Sequence, residues 1–153
     1  DCYYCDTENM TCKAESILAR IMTNLAGTTG VSTRIYRSRV VPITRNEFPA
    51  LVVEPTGNSV AQATSIDFLD WTMQVRIVVL VKGTTTTSPD QVADPILESL
   101  FPKMMNDLTL NGNAIDIQPN GMDFMMGDAD QPTGAISTNW TIKYRTKNND
   151  LTQ

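Results

Sequence analysis

The chain contains no histidine. That removes the commonest general base and the commonest neutral metal ligand, so no serine or cysteine nucleophile activated by histidine is available. Cysteine is confined to Cys2, Cys5 and Cys12. Cys2-x-x-Cys5 has the spacing of a redox pair or half a zinc site, but zinc needs four ligands, or three and a water. Only Cys12 and the carboxylates Asp1, Asp6 and Glu8 stand near enough in sequence to complete it. The favoured reading is a loose, reducible tail, with no metal or cofactor. Long apolar runs are also lacking. The longest, Ile77–Val81, has strand length and falls far short of the ~18 residues that a membrane span needs. No signal peptide is visible, although the chain starts at Asp1 without a methionine. Positive charge is in deficit: 12 Lys and Arg stand against 17 Asp and Glu, for a net charge of −5 and a pI of about 4.6. Proteins hold nucleic acid by neutralising phosphate and releasing counterions, so this chain is not expected to grip a duplex.

What is present is ordinary globular composition, 41% hydrophobic and 19% charged over 153 residues, enough for one domain with a sizeable core. Residues 1–12 show no periodicity and read as an N-terminal arm. Residues 13–147 read as a single domain, and 148–153 as a frayed C-terminal tail. Asn9-Met10-Thr11 and Asn139-Trp140-Thr141 are glycan acceptor triplets, but two are no more than chance supplies in a chain this rich in Asn, Ser and Thr.

Residues 13–26 carry Ile17, Ile21 and Leu25 at four-residue spacing, beside Leu18 and Met22, which predicts an amphipathic helix stopped by Gly27. A second helix is predicted from Ser88-Pro89-Asp90-Gln91, where serine caps, proline takes the first turn and Gln91 can close a capping box. Pro95 and Pro102 lie inside it, so a kink is expected, or a break near Pro102. Strands are predicted over 31–41, 48–55, 70–82, 113–119 and 135–147. Residues 70–82 alternate most clearly: Trp71, Met73, Val75, Ile77, Val79 and Val81 share one face. The opposite face begins polar and ends apolar at Val78 and Leu80. Residues 56–69 and the acidic, Met-rich 120–134 are expected to be loops. The order of elements predicts an α+β fold: one mixed, largely antiparallel β-sheet with two α-helices packed on one face. The crossover through the second helix is the expected source of any parallel pair.

No phosphate-binding loop is present, because Gly27-Thr-Thr-Gly30 follows a helix rather than a strand. Asp123, Asp128 and Asp130 form the one carboxylate cluster that a hydrolase or a Ca²⁺ site would use, but their spacing does not match an EF-hand. Met122, Phe124, Met125 and Met126 beside them suit an adaptable partner surface; folding back onto the core is the alternative. Arg34, Arg37, Arg39 and Arg45 are candidates for phosphate or, in an acidic chain, for ion pairs with a neighbouring copy.

Four segments in order carry a family resemblance: "RVVPITRNEFPALVV", "DWTMQVRIVVLV", "SPDQVADPILESLFPKM" and "GMDFMMGDADQPTGAISTNWTIKYRT". Over roughly residues 14–147 the chain resembles the tail terminator family of long-tailed bacteriophages, of the lambda minor tail protein U type. Residues 1–12 depart from that pattern. The resemblance implies a tail-terminator-like α+β fold and a virion structural role at the head-proximal end of the tail. It implies a homo-oligomer, a hexameric ring that stops tail-tube polymerisation and offers a surface to the head–tail connector or stopper protein. DNA would pass through the lumen without being bound, no membrane would be involved, and no catalysis is implied. The candidate interface residues are then Arg34, Arg37, Arg39, Arg45, Val78, Leu80, Met122, Phe124, Met125, Met126, Asp128 and Asp130. Three alternatives remain: another phage neck or tail protein of similar fold (a tail completion or tube protein), a non-viral soluble α+β binding domain, and a hydrolase using the aspartates.

Overall fold

Strict alternation over residues 72–82 sets up the middle of the fold. Met73, Val75, Ile77, Val79 and Val81 are all buried, while their even-numbered neighbours from Thr72 to Leu80 are only half-buried. A strand whose two faces differ this way must have cover on one side only. The computed structural model describes residues 11–39, 45–62, 66–84, 86–127 and 133–152. Its elements are α1 (Lys13–Leu25), β1 (Ile35–Arg37), β2 (Ala50–Gln62), β3 (Phe68–Lys82), α2 (Pro89–Met105), β4 (Asp116–Gly127) and β5 (Thr133–Lys147). They form one five-stranded sheet in the order β1-β2-β3-β5-β4. β1 runs parallel to β2, and every other neighbouring pair is antiparallel. The architecture is α+β, with a mixed sheet and two helices.

Both helices serve the same core. Ile17, Leu18, Ile21 and Leu25 of α1, with Ala93, Ile96, Leu100 and Met104 of α2, pack in one cluster with the odd-numbered face of β3. The partners of that face on β5 are Ile136, Thr138, Trp140, Ile142 and Tyr144, all buried. Each fully buried Val, Leu or Ile contributes roughly 1.5–3 kcal/mol. Thr138 is the polar exception, and it is satisfied: its hydroxyl donates to the Ile77 carbonyl at 2.9 Å and accepts from Trp140 Nε1 at 3.0 Å. Trp140 in turn meets Phe101 of α2 with ring centroids 5.0 Å apart.

α2 starts as its sequence demands. Gln91 Oε1 accepts the Ser88 backbone N–H at 3.2 Å. The helix then continues through both prolines to Met105, so the expected break near Pro102 does not occur. Both prolines are exposed; a ring that points to solvent crowds no packed neighbour.

Four further expectations need correction. The strand over 31–41 shrinks to Ile35–Arg37, because positive φ angles at Ser32 (52°) and Ser38 (46°) turn the chain on either side; Val40 and Val41 lie outside the described residues. The polar stretch after residue 55 is strand as far as Gln62, and β3 begins at Phe68. The Met-rich stretch is likewise strand as far as Gly127, and the last strand begins at Thr133. Composition hid these because backbone pairing to β3 and β5 supplies what weak side-chain propensity does not. Finally, α2 does not produce the parallel pair. It joins β3 to β4, which are separated by β5, and the parallel pair is β1 with β2.

The described part of the C-terminal tail is held rather than frayed. Lys13 N–H donates to Leu151 O at 2.8 Å, and Asn148 N–H to Asp67 O at 2.9 Å.

Candidate functional site

The side of the sheet opposite the helices carries two apolar rows at one end. One runs Ala50–Leu80–Ala135–Met125 across β2, β3, β5 and β4. The next begins with Tyr36, Val52 and Val78 on β1, β2 and β3, and closes with Ser137 and Asp123. Val52, Val78 and Leu80 are half-buried, while Ala50 and Ser137 in the same rows are buried. Among the described residues neither helix lies on this side, since both belong to the core cluster on the other. Towards the opposite end the same side becomes polar. Arg76 Nε donates to Glu54 Oε1 at 2.7 Å, and Arg145 Nε to Asp70 Oδ1 at 2.7 Å. The Arg145 guanidinium holds the Asp70 carboxyl below its ordinary range by hydrogen bonding.

Among the described residues β4 is the outermost strand on its side of the sheet. Its even-numbered residues after Gly121 pair with the buried face of β5: Met122 opposite Thr138 and Phe124 opposite Ile136. They therefore lie on the helix side, yet Phe124 is 58% and Met122 39% exposed. Met125, 65% exposed, lies on the other side. A register shift between Pro119 and Met122, with Gly121 at φ 108°, switches which residues face which way. Met126 falls within β4. Asp128 and Asp130 lie outside the described residues.

Arg34, Arg37 and Arg39 have partners within their own chain. Arg34 Nε donates to Pro49 O at 2.8 Å, and its Nη2 to Gly30 O at 3.0 Å. Arg37 donates from both terminal nitrogens to both carboxylate oxygens of Glu15 on α1. That hydrogen bonding lowers the Glu15 carboxyl and raises Arg37. Arg39 makes a fork to Glu47 at 2.8 and 3.1 Å, with its guanidinium 4.4 Å from the Tyr36 ring centroid. Tyr36 OH also donates to Glu47 Oε1 at 3.2 Å. Arg45 opens the short 3-10 turn that ends at Glu47. Arg34, Arg37 and Arg39 thus tie residues 30–39 to α1 and to residues 47–49, with Arg37 towards the helices and Tyr36 on the open side.

Sequence reasoning found Val78 and Leu80 but missed Ala50, Val52, Ala135 and Tyr36, which complete the rows with them. Alternation marks the open side of each strand; only the register says which residues stand level across it. It also missed Glu15 and Glu47, because ion-pair partners distant in sequence leave no local signal.

Asp123 Oδ2 accepts from Asn139 Nδ2 at 3.2 Å. Among the described residues no three Cys, Asp or Glu side chains gather as a metal would need. Cys12 is exposed and free, and Cys2 and Cys5 lie outside the described residues. A small cavity of about 180 Å³ is lined by Cys12, Ala14, Asn58, Trp71, Tyr144, Thr146 and Leu151. Asn58 Nδ2 donates to Tyr144 OH there at 2.6 Å, and burial pushes the Tyr144 phenol up. Among the described residues no helix is long and apolar enough to cross a membrane. No family model and no curated protein matches the chain.

Proposed function

We propose that this chain is a virion structural protein, a ring-forming tail terminator. On this reading it caps the head-proximal end of a phage tail tube, stops tube polymerisation and presents the surface on which the head–tail connector docks. The observation that carries the reading is a pair of partly exposed apolar surfaces that no helix covers among the described residues: the rows through Val78 and Leu80 on the open side, and the Met122, Phe124 and Met125 margin of β4. A closed ring needs two different patches on each subunit, one for each neighbour. The family resemblance of the sequence supplies the particular ring, a hexamer, and its partners, the tube protein and the connector. An acidic chain, net −5, suits a lumen through which DNA passes without being held, since a basic lining would retain the duplex.

Native mass spectrometry at high concentration, together with co-sedimentation on purified tail tubes, tests this. Rings, either free or on the tube end, are expected. A chain that stays monomeric and ignores tubes would defeat the reading.

A further inference from the structure

The two margins of the sheet fit one another. β1 covers only Leu51–Val53 of β2, so among the described residues the rest of that strand has an open edge. Proline cannot donate to a ladder, and Pro55 closes the first part of that edge. What remains usable is Gly57–Gln62. On the opposite margin β4 is open along its length among the described residues, but Pro119 and the register shift before Met122 leave Met122–Gly127 as its usable part. The two usable segments have the same length. Each carries exposed apolar side chains: Val60 (51%) on one, and Met122, Phe124 and Met125 on the other.

We propose that neighbouring copies of this chain join edge to edge, with Gly57–Gln62 of one paired antiparallel to Met122–Gly127 of the next in a single register that sets Val60 opposite Phe124. Three independent features select this. β2 and β4 run in opposite directions, because three antiparallel steps separate them, so copies repeating in one direction meet antiparallel. The register shifts in both strands put Val60, level with Trp71 and Tyr144, and Phe124, level with Ile136, on the helix side. A slip of one residue would set either against the wrong side. In that register Gly57 meets Gly127 and Gln62 meets Met122, so both segments are used from end to end. Gly57–Gln62 stands level with residues 141–146 of β5 and Met122–Gly127 with 133–138. Joining them therefore offsets each copy by roughly eight residues, about 26 Å, along the strands against a lateral repeat of four strands, roughly 19 Å. A stagger of that kind tilts strands relative to the axis, as closing a sheet on itself requires. Pairing also removes two exposed edges that would otherwise template aggregation. This inference rests on the ring reading for its one-directional repeat, and adds the contact that makes it.

Cysteine trapping tests it. In a background with Cys2→Ser, Cys5→Ser and Cys12→Ser, Val60→Cys is combined with Phe124→Cys; Ser59→Cys with Met125→Cys serves as a second pair should the first fail to fold. Within one chain the paired positions stand three strands and about 26 Å of strand apart, beyond the ~7 Å that a disulfide spans between Cα atoms, so any bond joins two copies. Mild oxidation at the concentration used for native mass is expected to give a ladder extending past the dimer for the double variants and none for the single ones. Rings by native mass with no ladder from either pair would overturn the edge pairing and leave the ring standing. Dimers from Phe124→Cys alone would show β4 pairing with itself about a two-fold axis, which also overturns it. A monomer with no ladder would remove both.

Discussion

Arg37 on β1 and Glu15 on α1 form a two-bonded ion pair that ties the short parallel edge strand to the first helix. Both side chains are partly exposed, at 32% and 44%. Pairs of this kind contribute about 0–1 kcal/mol, so this one fixes where β1 sits more than it stabilises the domain.

Arg37→Ala is accordingly expected to lower the unfolding free energy of the monomer by less than about 1 kcal/mol, measured by urea denaturation. Combined with Arg39→Ala it releases residues 35–39 from both Glu15 and Glu47. If the segment takes part in ring contacts, assembly falls by more than folding does. A large loss of monomer stability with normal rings would show that these arginines serve the fold alone.

The two faces of β3 should answer differently to substitution. Ile77→Ala empties a fully buried site and is expected to cost about 2–5 kcal/mol. Leu80→Lys stands on the open side, so the expected change in melting temperature is slight while oligomer or tube binding is lost. If Leu80→Lys unfolds the protein as Ile77→Ala does, that side is covered within the monomer.

Pro95 and Pro102 interrupt the hydrogen-bond ladder of α2 and are exposed. Replacing either with alanine restores a helical N–H, at the cost of a more flexible unfolded chain. A gain of about 1–2 kcal/mol is expected, read as a higher denaturation midpoint with an unchanged slope. A loss would mean that the ring itself makes a contact the helix needs.

Acid should loosen the links between elements. Hydrogen bonds from Asn24 and then Arg20 hold the Asp107 carboxyl below its ordinary 3.8, and Arg37 holds Glu15 below 4.5. A depressed folded pKa means that the unfolded chain binds the proton first. The contribution is therefore complete above the unfolded values and is lost as pH falls through the folded ones. Stability is expected to decline as pH drops below about 4.5, and Asp107→Asn is expected to flatten the lower part of that decline. An unchanged slope in thermal unfolding between pH 5 and 2.5 (values chosen to bracket these groups) would contradict the assignment.

By itself the sequence determined the helices, the central strands and the core. Ile17, Ile21 and Leu25, and the alternation from Met73 to Val81, can bury their apolar sides in only one way. It also determined that these 153 residues supply no histidine. Val78 and Leu80 could be singled out as candidates because they are the apolar end of an otherwise polar face. The tertiary structure alone decided what stands beside them. The turns at Ser32 and Ser38 cut β1 to three residues, and register shifts near Pro55 and Asn120 reverse the sidedness of both marginal strands. Polar and Met-rich segments became strands because neighbours offered them hydrogen bonds. The arginines found Glu15 and Glu47 across folds of the chain that no local pattern encodes. Periodicity is a property of neighbours in sequence and so can be read there. Register and ion pairing are properties of neighbours in space, and they exist only once the sheet has formed.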